Sequence, residues 1–245
     1  MIWETYDTFE ENELNEELWR VETLLPPEKV GVEVKDGMLI LAVSTDRIYS
    51  ERKPSEAYSK KLGVWDMKYV GEALRVIAKH TRFNGVEACF IPYLDESYGE
   101  GNVQLRCIGK NFCYMAGINF KYDVNGRLEN SDVFIHLWDR ELNSYPDGGR
   151  LHIKDILPSA KEISLGSCLD REFWYGVGRR YFKFPVSFEE VLERLREDSI
   201  YIHQHGLESF ELKIDVYAKR PCRIKAAIPY VRVRREFISY FLSQL

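Results

Sequence analysis

Short runs of alternating apolar and polar residues, separated by turn residues, recur along most of this 245-residue chain. Val30–Val34 and Met38–Ser44 flank an Asp36-Gly37 pair, and Asp-Gly between two alternating runs is a strong signal for a β-hairpin. Asp123–Gly126 supplies another turn of this kind. The other alternating runs are Val86–Tyr93, Val103–Ile108, Cys113–Tyr122, Val133–Arg140, Phe210–Lys219 and Arg223–Arg234. This spacing predicts an all-β fold, either a sandwich or a barrel of antiparallel strands.

Two stretches depart from the alternation. Ser187–Glu197 predicts a helix, because Ser187 and Glu190 have the spacing of a capping box and apolar residues recur along one face. Thr45–Lys61 is polar and charged and predicts a long loop, and loops longer than about 12–15 residues are often functional. Since the chain has no internal repeat, low-complexity tract or Pro/Ser-rich linker, residues 1–245 are predicted to form a single domain.

The composition excludes several classes of protein. A net charge of −5 and a pI of about 5.7 argue against a general nucleic-acid binder, which needs a basic stripe to contact phosphates. No apolar run approaches the roughly 20 residues of a membrane-spanning helix. An aromatic content of 13% excludes intrinsic disorder and supplies flat surfaces for ligand binding.

The cysteines and the N-terminal sequence bear on the cellular compartment. An odd number of cysteines without a CxxC spacing favours a reducing environment or buried thiols, and Cys107 and Cys113 are expected to be two such thiols. The chain opens without a basic segment followed by an apolar run, so no signal peptide is predicted. A cytoplasmic location is therefore expected, or a secreted one if a signal peptide has been removed.

The sequence predicts no metal or cofactor. His203 and His205 form an i, i+2 pair with Glu208 nearby, but a zinc site needs three or four ligands of suitable geometry. This segment is therefore interpreted as a polar loop ahead of a strand. A structural calcium ion is compatible with the sequence.

The first 41 residues carry a recognisable motif. Tyr6–Phe9, Leu14, Leu18–Val21 and Val32–Leu41 together resemble the opening of the concanavalin A-like lectin/glucanase jelly rolls. The shared pattern is an Asp-x-Phe start, a Trp-containing turn, a strand, an Asp-Gly turn and a second strand. The resemblance implies a two-sheet antiparallel jelly-roll sandwich, with the helix near 187–197 as an addition. It also implies that the Asp7–Phe9 edge pairs near the C-terminal strands.

The same resemblance bears on catalysis. The laminarinase- and lichenase-type glucanases of this superfamily carry Glu-x-Asp-x-Glu on one strand, as nucleophile, modulator and general acid. The nearest segment here is Leu137–Glu141, in which Asp139 and Glu141 match the second and third positions but Leu137 replaces the nucleophile. A retaining mechanism needs two carboxyl groups about 5–5.5 Å apart. Two further weak catalytic candidates, Glu211 and Asp215, share one face of the Phe210–Lys219 run, which faces either solvent or a groove.

The Val133–Arg140 run predicts a binding surface. His136, Trp138 and Arg140 share one face of the strand, and a ring flanked by hydrogen-bonding groups suits a sugar. We expect Ile135 and Leu137 to pack between the sheets, because burying each contributes about 1.5–3 kcal/mol. Burying the polar residues instead would leave groups unsatisfied at about 1–3 kcal/mol apiece. The alternative is that Trp138 packs beneath a loop.

These observations favour carbohydrate recognition on a concave, aromatic-lined sheet, by a lectin-like protein or a carbohydrate-binding module. Trp65 and Trp174 are additional candidate platforms. One alternative is an enzyme, a glycoside hydrolase or polysaccharide lyase with a non-standard carboxylate pair. A second alternative is a non-catalytic structural or interaction protein. The expected partner is an oligo- or polysaccharide, and whether the protein is an enzyme and how it oligomerises stay open.

Overall fold

The computed structural model describes residues 3–23, 25–45, 72–79, 83, 85–146, 149–154, 162–168, 172–177, 180–184, 193–194, 197–198, 210–216 and 221–234. About two thirds of this described part is β-strand. The strands are β1 (Trp3–Asp7), β2 (Trp19–Thr23), β3 (Val30–Lys35), β4 (Met38–Thr45), β5 (Glu72–Ala78), β6 (Gly85–Pro92), β7 (Glu100–Ile108), β8 (Phe112–Tyr122), β9 (Leu128–Asp139), β10 (Arg150–Lys154), β11 (Ile163–Cys168), β12 (Glu172–Val177), β13 (Arg180–Phe184), β14 (Phe210–Val216), β15 (Cys222–Ile228) and β16 (Val231–Arg234). Two single-turn 3₁₀ helices, Pro27–Lys29 and Leu94–Glu96, precede β3 and β7.

The strands form two antiparallel sheets. The seven-stranded sheet has the order β10-β9-β8-β7-β14-β5-β2, so β7 is its central strand. The nine-stranded sheet has the order β13-β12-β11-β6-β15-β4-β3, with β16 pairing with β6 and β1 pairing with β16. This arrangement confirms the predicted all-β, two-sheet antiparallel jelly roll.

The core lies between the two sheets and follows the alternation of the sequence. Ile135 and Leu137 on β9, and Leu212 and Ile214 on β14, are fully buried in one apolar cluster that also takes side chains from the nine-stranded sheet. The residues between them point to the opposite face of the seven-stranded sheet. The predicted placement of Ile135 and Leu137 is therefore correct.

The predicted hairpin turns are confirmed. Lys35 pairs with Met38, and the two residues between them, Asp36 and Gly37, have φ values of 53° and 71°. Positive φ at both central positions is the signature of a type I′ turn, whose twist matches that of the strands. In the β8–β9 turn the carboxylate of Asp123 accepts two backbone N–H groups at 2.8 Å, which closes the loop.

Hydrogen bonds account for the N-terminal motif. The carboxylate of Asp7 accepts the backbone N–H of Phe9 and the indole N–H of Trp19, both at 2.7 Å. Tyr6 packs edge-on against Trp19 with ring centroids 5.1 Å apart. Strand β1 pairs with β16, which confirms that this edge lies beside the C-terminal strands.

The structure adds strands that the alternation did not predict, namely β1, β2, β5 and the four strands β10 to β13. Of the predicted helix Ser187–Glu197, the described residues 193, 194 and 197 are helical, and so is Asp198 directly after it. The rest of that helix, the segment 46–61 of the predicted loop and the His203–His205 pair lie outside the described residues.

The described thiols are buried. Cys107 faces the core, whereas Cys113 belongs to a small cluster on the other side of the sheet, so the two side chains cannot oppose each other. Both are free, as expected for two buried thiols. Within the described residues, no helix has the length and apolar character required to span a membrane.

Candidate functional site

The face of the seven-stranded sheet that points away from the core is termed the outer face. Because strands pair in register, its side chains form rows that cross the sheet. One row contains Glu211, Arg106, Met115, His136 and Arg150. The next contains Arg75, Lys213, Gln104, Gly117, Phe134 and His152. A third contains Asn102, Asn119, Asp132 and Lys154.

A ladder of alternating charges crosses one half of the outer face. Arg75 lies 3.6 Å from the carboxylate of Glu22 and 3.7 Å from that of Glu211. Glu211 in turn lies 3.4 Å from the guanidinium group of Arg106. Arg106 and Glu211 are 0% and 1% exposed, and charges this deeply buried persist only when they are paired. Glu211 therefore faces neither solvent nor the core: it is a buried anion between two arginines.

Aromatic rings occupy the other half of the outer face. The aromatic cluster consists of Phe134, His136, Trp138, Tyr145 and His152. Trp138 and Tyr145 meet edge-to-face with ring centroids 4.8 Å apart, and Tyr145 also meets His136 edge-on at 5.2 Å. Trp138 is half-buried, so part of its ring surface stays accessible. Such a cluster offers π faces beside polar ring nitrogens.

A hydrogen-bond relay fixes the two histidines. Asp132 accepts the amide of Asn119 at 2.7 Å and lies 3.0 Å from Nδ1 of His152. Nε2 of His152 lies 2.9 Å from Nε2 of His136. Burial, and then the charges of His152 and Arg150, lower the pKa of His136 to about 3. His136 is therefore a neutral imidazole at physiological pH.

A polar cleft lies near the start of β9, beside Asn130 and Asp132. Its volume is about 160 Å³. The lining residues are Glu100, Gly101, Asn119, Phe120, Lys121, Asn130 and Asp132. Carboxylate and amide groups dominate this lining, so the cleft suits a hydroxylated ligand better than an apolar one. Across the described part of the chain, no group of three or more His, Cys, Asp or Glu side chains is arranged to hold a metal ion.

Comparisons with known proteins support the fold. No protein-family model matches the chain. No curated protein matches it either. Among solved structures, an uncharacterized protein from Mycobacterium paratuberculosis matches with a TM-score of 0.52 and 11% identity, over 95% of this chain and 99% of the other. An immunostimulatory antigen and pseudo β-1,3-glucanase of Mycobacterium tuberculosis matches with a TM-score of 0.50 and 11% identity, over 97% and 99%. The likeness is one of fold.

The structure places the predicted binding residues in different locations. Trp138 and His136 lie together on the outer face, opposite Ile135 and Leu137. Arg140 lies beyond the end of β9, where its guanidinium group donates to the carbonyl oxygen of Gly109.

Trp174 lies on the other sheet from Trp138. It belongs to β12 of the nine-stranded sheet, where it covers Gly166 and meets Trp3 edge-on at 5.4 Å. With 9% exposure it is buried in a local contact. The expectation that Trp174 lines the same surface as Trp138 is therefore wrong. Trp65 lies outside the described residues.

Asp139 and Glu141 have different environments. Asp139 is 0% exposed; it accepts the backbone N–H groups of Glu141 and Leu142 at 2.9 Å and binds the guanidinium group of Arg194 through both of its oxygens. The side chain of Glu141 is 81% exposed. Asp139 therefore closes the turn after β9 and anchors the helical segment.

Asp215 lies in β14 opposite Asn102, and its side chain is outside the described part.

Several residues of the outer face were missed by the sequence prediction. His152 lies in the alternating segment Arg150–Lys154, whose Leu151 and Ile153 face the core and could have signalled a strand. Arg106 alternates with core residues in a run that was assigned as a strand. The sequence could not show that Arg106 meets Glu211, because strand pairing is a long-range property.

Proposed function

We propose that this protein binds an oligo- or polysaccharide on the outer face of the seven-stranded sheet without cleaving it. The distribution of carboxylates carries the proposal. Among the described side chains, no strand presents three carboxylates at alternate positions to this face. A glucanase triad would need three at alternate positions of one strand.

The central strand illustrates this distribution. At alternate positions β7 presents Glu100, Asn102, Gln104 and Arg106 to the outer face, so it carries a single carboxylate there, at its first residue. The last three of these side chains are amide or guanidinium groups, and all three are buried. They cannot act as the carboxylate nucleophile or the carboxylic acid that glycoside cleavage requires.

The aromatic cluster supplies the apolar half of a sugar site. C–H groups of a pyranose ring pack on aromatic faces, while polar groups at the margin bind its hydroxyls. Trp138 offers a half-buried indole, and His136 beside it is a neutral hydrogen-bonding group. That a protein of the same fold is a pseudo β-1,3-glucanase also supports the proposal.

The test combines binding with cleavage. Affinity electrophoresis in gels containing a β-1,3-glucan, a mixed-linkage β-glucan, xylan or mannan measures retention, and a reducing-sugar assay measures cleavage. We expect retention by at least one polysaccharide, loss of that retention in Trp138→Ala, and no release of reducing ends. Failure of all four polysaccharides to retain the wild-type protein would contradict the proposal.

One observation favours hydrolysis as a second candidate function. Glu22 and Glu211 contact the same nitrogen of Arg75, at 3.6 and 3.7 Å, so their oxygens are no farther apart than these two distances combined. Paired carboxyl groups in glycosidases are separated by roughly 5–10 Å. Asp132 cannot be the partner of Glu211 in such a pair. Their strands are three positions apart in the sheet, which corresponds to about 14 Å at 4.8 Å per strand. Release of reducing ends that is lost in Glu211→Gln would support this candidate.

A further inference from the structure

The polar cleft lies near the start of β9, whereas Trp138, at the far side of the aromatic cluster, lies near the end of that strand. Asp132 lines the cleft and Trp138 belongs to the cluster, and both side chains point to the outer face of β9. Six residues separate them, which corresponds to about 20 Å along an extended strand. A single sugar ring is too short to reach from one end to the other.

We propose that the cleft is a second sugar subsite, in which Asp132 and Asn119 bind the hydroxyl groups of a chain that also stacks on Trp138. This inference rests on the proposed function. It goes beyond the proposed function in two respects. It specifies that the ligand is an extended oligosaccharide, and it names Asp132 and Asn119 as residues that recognise it.

The hydrogen-bonding capacity of the two residues supports this assignment. An ionised carboxylate can accept about four hydrogen bonds, and Asp132 accepts one from Asn119 and contacts one nitrogen of His152. The Asn119 amide uses one of its two N–H groups in the bond to Asp132, which leaves an N–H donor and a carbonyl acceptor. A hydroxyl group both donates and accepts, so a vicinal diol can satisfy the carboxylate and the amide together.

The relay also holds the two groups in place before a ligand arrives. Asp132 is buried, and both of its oxygens are oriented by neighbouring side chains, so binding requires little reorganisation. The ammonium group of Lys121, which also lines the cleft, lies 2.5 Å from the carboxylate of Glu129. A buried anion facing the cleft disfavours acidic sugars, so a neutral glycan fits best.

The experiment measures affinity against chain length. Oligosaccharides of increasing length are prepared from whichever of the four polysaccharides retains the wild-type protein, and their affinities are measured by titration calorimetry. We expect wild-type affinity to rise with length until the chain reaches both ends. In Asp132→Asn the longest oligosaccharide should bind at least tenfold more weakly, while a disaccharide binds as it does to the wild type.

Two further variants make the result decisive. Asn130 lines the cleft but is exposed, so Asn130→Trp should fill the cleft without disturbing the fold, and it should reproduce the loss for long chains. Glu33→Gln changes an exposed carboxylate on β3 of the other sheet and should bind normally. If Asp132→Asn unfolds the protein, Asn130→Trp decides the question.

The outcomes separate the two proposals. Normal long-chain binding in Asn130→Trp, together with loss of binding in Trp138→Ala, would overturn the second subsite and leave the proposed function intact. If no polysaccharide retains the wild-type protein, the proposed function fails and the subsite fails with it. A wild-type affinity that does not depend on chain length would also overturn the subsite.

Discussion

Nε2 of His136 lies 2.9 Å from Nε2 of His152, so only one proton fits between the two imidazole rings. The carboxylate of Asp132 lies 3.0 Å from Nδ1 of His152, which favours a proton on that nitrogen. When both imidazoles are neutral, Nε2–H of His136 therefore donates to Nε2 of His152. Burial, and then electrostatic interaction with His152 and Arg150, disfavour a positive charge on His136.

The contribution of His136 to stability should therefore fall as the solution is acidified. The pKa of His136 is lowered to about 3 in the folded protein, mainly by burial, whereas the unfolded chain has an ordinary pKa of about 6.5. Between pH 3 and pH 6.5 the unfolded state binds more protons at this residue than the folded state does. The His136 contribution to the free energy of unfolding therefore decreases as pH falls. The slope is at most about 1.4 kcal/mol per pH unit, which gives a loss of about 2–3 kcal/mol by pH 4.5.

The matched control for this prediction is His136→Gln, which cannot titrate. Urea unfolding of both proteins between about pH 7 and pH 4 gives the difference in their free energies of unfolding. We expect the wild type to lose stability relative to the variant as pH falls. Asp198, whose pKa is raised to about 7 by burial, acts in the opposite direction but is common to both proteins and cancels. Parallel stability curves would contradict the prediction.

Asp139 should matter for stability rather than for chemistry. Asp139→Ala removes the acceptor of two backbone N–H groups and the partner of Arg194, all in a buried setting. Breaking a buried pair in this way should lower the free energy of unfolding by about 3–5 kcal/mol. Glu141→Gln, at a highly exposed side chain, should change it by less than about 0.5 kcal/mol. A stable Asp139→Ala protein that has lost a cleavage activity would instead indicate a catalytic carboxylate.

Trp138→Ala should weaken glycan binding with a moderate loss of stability. The ring is half-buried and packs on Tyr145, so we expect a decrease of about 1–3 kcal/mol in the free energy of unfolding, and at least a tenfold loss of affinity. Trp174→Phe, on the other sheet, should leave binding unchanged. Affinity electrophoresis and chemical unfolding measure the two effects separately. Weaker binding in Trp174→Phe alone would relocate the site to the nine-stranded sheet.

Gly117 should not tolerate a side chain. A Cβ atom there would lie 2.6 Å from Cβ of Gln104, Cζ of Phe134 and the carbonyl oxygen of Val103. Gly117→Ala should therefore lower the thermal unfolding temperature, with a loss of about 1–3 kcal/mol. Gly31→Ala, whose Cβ would meet only Ala42 at 3.4 Å, is the matched control and should be neutral or slightly stabilising. Equal unfolding temperatures for the two variants would contradict the prediction.

Individual residues show how far sequence patterns reach into the site. The alternation around Ile135 and Leu137 was enough to place Trp138 and His136 on the outer face, because strand geometry leaves only two sides. Trp174 also alternates with core residues, yet its strand belongs to the other sheet. Alternation reports which face a residue takes within a strand, and it carries no information about which sheet the strand joins.

The sequence by itself determined the all-β class and the Asp36-Gly37 hairpin, because each depends on local geometry or on a short-range motif. Only the tertiary structure decided that Glu211 pairs with Arg75 and Arg106, and that Asp132 reaches His136 through His152. These contacts join strands far apart in the chain, and their partners are set by the register and order of the strands. That order follows from packing the two apolar faces against each other, a balance over the whole molecule.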